Sequence, residues 1–282
     1  MDAHVNPHEY LEMVGDLPDQ EVDVAPVSIA MASLLNEGRK PESYFRQLKK
    51  ISGDVAARYD ELLEAGAEDL AETRLAALKH ILADKFGFLG NENDSDHYLG
   101  ADMMSVIDRS QGLPVSLTIL YIHAARAQGW EIEALLLPSY CLPRLQNGPQ
   151  RLIFDPFRRG EILAASDIRG IVKAALGDSA ELSASYFEPV SNRDILINQY
   201  NFIKSHQIEI SDYEGALQTI EVMRLVAPGE FRLLLDAGVL YSRTGQNEKA
   251  IPALETYIER APDHNDRYDA ELLLEHILSE QG

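Results

Sequence analysis

From Val115 to Ala125 the chain reads Val-Ser-Leu-Thr-Ile-Leu-Tyr-Ile-His-Ala-Ala, with no Asp, Glu, Lys or Arg. A helix that is apolar nearly all round has no face to offer water, so it must lie at the centre of a fold. Gly112-Leu113-Pro114 leads into it, and proline suits the first helical turn, where its missing N–H has no intrahelical partner anyway. Gly129 is the expected stop, since glycine readily takes the left-handed conformation that ends helices.

The flanks supply what surrounds this helix. Glu131 to Leu137 and Arg151 to Phe154 read as strands, and Asn147-Gly148 between them is a tight-turn pair. Upstream, Ile29, Met31, Leu34 and Leu35 belong to a helix beginning near Pro26 and ended by Gly38. Pro41-Glu42 opens a second, with Tyr44, Phe45, Leu48 and Ile51 at helical spacing. A third apolar series is Val55, Tyr59, Leu62 and Leu63; a fourth runs through Leu70, Leu75, Leu78, Ile81 and Leu82 to Phe86-Gly87-Phe88. A buried helix on a small antiparallel sheet, preceded by helices, is an α+β architecture.

The last ninety residues return to helix with a period. Ala216 and Ala250 are 34 residues apart, as are Pro228 and Pro262. Leu234, Gly238, Tyr241, Ala250, Leu254 and Pro262 occupy tetratricopeptide-repeat positions, after a weaker copy with Tyr200, Ile203, Ala216, Ile220 and Pro228. Small residues at Gly238 and Ala250 are expected to let two helices approach closely. A final amphipathic helix over 267–278 would cap the stack. The expected domains are an acidic segment at 1–24, an α+β domain with a helical front at 25–192, and repeats at 193–282.

The 282 residues carry 46 acids against 25 Lys and Arg, a formal charge of −21. That balance opposes binding to nucleic-acid phosphates or an anionic membrane and favours solubility or basic protein partners. Residues 1–24 hold seven acids and no Lys or Arg. This segment is expected to be mobile, or ordered by docking through Tyr10, Leu11, Met13 and Val14. Met1-Asp2-Ala3-His4 shows no basic start to an apolar run, and no stretch approaches the roughly 18 apolar residues of a span, so a cytoplasmic protein is expected.

Cofactor and metal signals are weak. The eight histidines form no His-Glu-x-x-His motif, and no Gly-rich phosphate loop or Gly-x-Ser-x-Gly occurs. Asn91, Asn93, Asp94 and Asp96 cluster, but their spacing does not match a calcium loop, and a solvated turn is the expectation. No cofactor and no metal are expected. Cys141, the single cysteine, excludes an internal disulfide. It reads as a small buried hydrophobe, with a nucleophile as the alternative.

Phe88-Leu89-Gly90-Asn91, Val106-Ile107-Asp108-Arg109, Gly112-Leu113-Pro114-Val115-Ser116-Leu117, Tyr121, Asp155-Pro156-Phe157 and Gly160 resemble the SirB-type family of bacterial proteins. The resemblance covers about residues 70–282. It implies a transglutaminase-like (papain-like) core followed by tetratricopeptide repeats, and an association with control of invasion-gene expression. No residue here shows transcription-factor chemistry. Transglutaminase-like enzymes set a Cys at the start of the central helix, a His base on the next strand and an orienting Asp on the one after. The resemblance puts Pro114 at the nucleophile position and Tyr140 at the base, and retains only Asp155. Ser116 in the first turn reads as packing or capping, and Gly100-Ala101 replaces the family's Asn-Ser.

Two functions follow. In the first, the chain is a non-catalytic interaction or regulatory protein with a degenerate core, binding a protein or peptide partner along its repeats. Asn198, Asn201, Ser205, Arg232, Leu235, Val239 and Ser242 are expected to line that face, with Asn clamping backbone and Arg232 meeting a carboxylate. In the alternative, a thiol-dependent hydrolase or acyltransferase uses Cys141, with His123 or His97 as its base.

Overall fold

A computed structural model describes residues 6–36, 38–91, 97–262 and 264–281. Asn93, Asp94 and Asp96 of the turn cluster lie outside the described residues. The chain forms two compact units, one holding Pro18–Gln199, the other Asn6–Leu17 together with Tyr200–Gly282.

The first helix, α1 (Pro7–Asp16), belongs to the second unit. Asn6 caps it by accepting the N–H of His8, and Pro7 opens the first turn. The first unit begins with α2 (Val24–Leu35), α3 (Glu42–Glu64) and α4 (Ala71–Lys79). The second and third apolar series therefore lie on one unbroken helix, α3. The fourth runs through α4 and continues into a π-helical turn at His80–Lys85. A short α5 (Met103–Arg109), not anticipated from periodicity, precedes the central helix α6 (Pro114–Arg126).

Helix α6 is buried from Val115 to Ile122 and again at Ala124 and Ala125. It packs against α2, α3 and α4, as its lack of a polar face requires. Gly129, at φ 72°, turns the chain out of it. The sheet follows, with β1 (Glu131–Leu137), β2 (Tyr140–Asn147), β3 (Gln150–Asp155) and β4 (Glu161–Ile162) in order and antiparallel. β1 and β3 are the two expected strands; β2 lies between them and β4 after them.

Pro143 disguises β2, because proline withholds an N–H from a ladder. It is tolerated because β3 pairs only with Arg144–Asn147, leaving Pro143 with β1 as its one neighbour. Two-residue turns at Pro138-Ser139 and Gly148-Pro149 join these strands, with Ser139 at φ 59° and Gly148 at φ 57°. Helix α7 (Ala165–Leu176) covers one face through Ile168 and Val172, against Leu135, Leu137 and Leu142. Helix α6 covers the other.

Helix α8 (Asn192–Glu209) is shared, the first unit ending inside it at Gln199 and the second resuming at Tyr200. The second unit continues with α9 (Tyr213–Val226), α10 (Arg232–Arg243), α11 (Asn247–Arg260) and α12 (His264–Gln281), longer than the expected terminal helix. A Cβ on Gly238 would sit 2.6 Å from Leu254 Cδ2, so the α10–α11 approach needs glycine. Leu11 and Val14 of α1 are buried, and α1 packs on α9. Residues 7–16 of the acidic segment are thus docked through Leu11 and Val14, whereas Met13, expected to join them, is 55% exposed on the outer side of the helix.

Candidate functional site

The start of α6 is held from below by backbone hydrogen bonds. Leu113 N–H donates to the Gly100 carbonyl at 2.9 Å, and Gly112 N–H to the Leu89 carbonyl at 3.3 Å. Pro114 occupies the first helical position and carries no group that reacts. Two residues on, Ser116 is buried, and its Oγ accepts from Gln199 Nε2 at 3.1 Å. That amide also donates to the Ala101 carbonyl at 2.8 Å, while Gln199 Oε1 accepts from Ser28 Oγ at 2.8 Å. A buried amide with its groups met this way fixes α2, α6 and α8 to one another. Ser116 is a packing residue here. Gln199 went unnoticed in sequence, since a lone Gln in a helix carries no motif.

The structure brings Tyr140 and Asp155 together. Tyr140 Oη donates to Asp155 Oδ2 at 2.9 Å, and Phe157 N–H donates to Oδ1 at 2.9 Å. Arg158 Nε lies 3.9 Å from Oδ2. Asp155 is 1% exposed. Burial pushes its carboxyl above the ordinary value, against the opposing pull of Tyr140, the Phe157 N–H and Arg158. Phenol and carboxylate thus face each other, Tyr140 donating to Asp155.

The surrounding motif residues have steric reasons for being what they are. Gly90 N–H donates to the Phe157 carbonyl at 3.0 Å, and a Cβ on Gly90 would enter the Phe157 ring. Gly160, at φ 69°, donates its N–H to the Asp155 carbonyl at 2.7 Å. Asp108 accepts from Arg39 Nη2 at 2.5 Å and from Tyr44 Oη at 3.0 Å, tying α5 to the α2–α3 connection. Beside the pair opens a groove of about 550 Å³, walled by Pro138, Tyr140, Arg158 and the Gly170–Ala174 side of α7.

Cys141 does not join the pair. It follows Tyr140 on the opposite face of β2, is 1% exposed, and its carbonyl accepts from Thr118 Oγ1 at 3.2 Å. Burial pushes its thiol up to about 12, far from the depressed value of an activated nucleophile. His123, the alternative base, turns Nδ1 toward Asp23 Oδ1 at 3.1 Å and lines a separate cleft in which Cys141 has no part. The side chain of His97 lies outside the described residues. Among the described residues no group of three or more His, Cys, Asp or Glu could hold a metal ion.

The expected peptide face divides between the units. Asn198 is in the first unit; Asn201, Ser205, Arg232, Leu235, Val239 and Ser242 are in the second. Ser205 and Val239 are exposed, and Asn201, Leu235 and Ser242 half-buried. Arg232 is exposed, but its Nε and Nη2 already bond Glu230 at 2.8 and 2.7 Å, so a partner carboxylate would compete with Glu230. Lys204 Nζ reaches Asp236 Oδ2 at 2.5 Å, joining α8 to α10 across this face. That pair was not foreseen, since the two residues are 32 positions apart.

A family model described as the transglutaminase-like superfamily matches residues 42–200, and a tetratricopeptide-repeat model matches residues 203–275. The chain is 26% identical over 213 residues to a UPF0162 protein of Xylella fastidiosa (strain Temecula1), covering 73% of this chain and 76% of that one. A UPF0162 protein of Vibrio cholerae is 23% identical over 250 residues, 88% and 91% of the two chains. Human F-box only protein 21 is 24% identical over 192 residues, 63% of this chain and 29% of that protein. Among solved structures, a crystal structure of menin covers 100% of this chain and 79% of its own at a TM-score of 0.39 and 10% identity. That likeness is too low to carry an argument.

Proposed function

Because the chain belongs to the transglutaminase-like superfamily, in the SirB-type combination with tetratricopeptide repeats, we propose that it is a non-catalytic interaction protein. The core acts as a scaffold, and the second unit binds an extended peptide of a protein partner. The observation that carries this reading is the Tyr140–Asp155 hydrogen bond at 2.9 Å. A triad enzyme needs a histidine that donates Nδ1–H to that carboxylate and keeps a basic Nε2 for the nucleophile's proton, a second nitrogen that a phenol lacks, and a nucleophile at the helix start. Here a phenol donates to the carboxylate, and Pro114 stands at the helix start.

The exposed part of α10 supports the binding half. Leu235, Val239 and Ser242 follow one another at intervals of four and three residues, which places them along one stripe. Half-buried Asn201 offers both a donor and an acceptor to a peptide backbone. Two measurements test the proposal. Native protein exposed to iodoacetamide should leave Cys141 unmodified until denaturant is added, and transfer of an amine to a glutamine peptide should be at background. Turnover that Cys141→Ser abolishes would make the chain an enzyme. In affinity capture, a Leu235→Asp/Val239→Asp variant should lose partners that the wild type retains. Identical captured sets would remove the repeat face from the proposal.

A further inference from the structure

A cleft of about 640 Å³ lies away from the Tyr140–Asp155 pair, between the start of α2, one side of α3 and the C-terminal end of α6. Sites for small molecules typically enclose roughly 300–1,000 Å³ and combine an apolar wall with a few converging polar groups. Pro26, Phe45, Leu48 and Ala127 form the apolar wall. All of these residues belong to the first unit.

The polar groups are unusual in being unspent. Arg46 and Lys49 line the cleft three positions apart on α3, hence on one side of it. Neither makes a hydrogen bond or ion pair among the described residues. In a chain of net charge −21, cations have a surplus of carboxylates to meet, so two adjacent unpaired ones at a cleft mark a place for an outside anion. Ser52, one turn beyond Lys49, also lines the cleft, and its Oγ has no hydrogen-bond partner.

His123 forms the far wall. Its side chain is 13% exposed, and Asp23 at 3.1 Å orients the ring through Nδ1. A carboxylate on one ring nitrogen fixes the imidazole and leaves Nε2 for a second partner. The two acids of the lining restrict the ligand. Asp23 is engaged by His123, and Glu42 stands one helical turn before Arg46, where a second anionic group would be repelled.

We propose that this cleft binds a small organic monocarboxylate with an apolar body, its carboxylate on Arg46 and Lys49 and its body on Phe45, Leu48 and Pro26. His123 and Ser52 supply the remaining polar contacts. The site does not depend on the repeat surface or on the state of the Tyr140–Asp155 pair.

The test uses the full chain with decanoate below its micellar range and with decan-1-ol, by titration calorimetry and by NMR of the histidine ring signals. Decanoate should bind at least tenfold more tightly than decan-1-ol and should shift the His123 ring resonances. An Arg46→Ala/Lys49→Ala variant changes only exposed side chains, so its melting midpoint should match the wild type while its decanoate affinity falls at least tenfold. A Glu42→Gln variant should bind decanoate at least as tightly as the wild type. Equal affinity for acid and alcohol, unchanged His123 resonances at saturation, or full binding by the double variant would each overturn the proposal.

Discussion

At the scale of single residues, Asp155 and Tyr140 concentrate the physics of the core. A buried carboxylate is costly unless donors meet it, and Asp155 accepts from the Tyr140 hydroxyl and the Phe157 N–H, both at 2.9 Å, with the Arg158 backbone N–H adding to them. Tyr140→Phe leaves one oxygen without its donor and should cost about 1–3 kcal/mol in urea unfolding. Because the folded carboxyl is raised above its ordinary 3.8, the folded state binds the more protons between those two values. The resulting stability is fully present below 3.8 and is lost as pH rises through the folded value. Asp155→Asn should therefore gain stability relative to wild type across that window, with Asn Oδ1 still able to accept from Phe157. A wild-type-minus-variant difference that is flat with pH would contradict the raised carboxyl. The Asp-Pro-Phe motif was visible in sequence, but its hydroxyl partner was not. Tyr140 and Asp155 are 15 residues apart, and strand pairing through β2 and β3 brings them together.

At the scale of elements, hydrophobic periodicity exposed the helices better than the strands. The α6 run has one reading, because a long segment without charge must be buried. The sheet is covered on both faces, so polar-out alternation is lost in β1 and β2, and Pro143 further disguises β2. The 34-residue spacing located the close contact of the second unit. Gly238 meets Leu254, whose side chain is 0% exposed and has little room to move. Gly238→Ala should destabilise the repeat hairpin by about 1–3 kcal/mol through overpacking. Since the clash is with a single side chain, adding Leu254→Ala should cost less than the sum of the single changes. Chemical denaturation of the four proteins checks this, and strict additivity would mean that Leu254 does not limit the approach.

At the scale of the whole molecule, the decisive fact is which segments share a compact unit. Sequence order puts residues 6–17 ahead of the α+β core, yet they belong with the repeats, through Leu11 at 0% and Val14 at 1% exposure. Leu11→Ala should cost the second unit about 2–5 kcal/mol. The single tryptophan, Trp130, lies in the first unit, so its fluorescence reports that unit while circular dichroism sees both. The variant should lower part of the dichroism melt and leave the fluorescence transition in place. A fluorescence midpoint that drops with it would show the two units unfolding as one. Local pattern was enough for the central helix, the repeats and the α+β class, because each depends on neighbouring residues or on a period. The Tyr140–Asp155 hydrogen bond, the Gln199 amide between α2 and α6 and the cleft beside His123 all join residues far apart in the chain. Such contacts are set by how the elements close on one another, and no spacing along a single sequence encodes that closure.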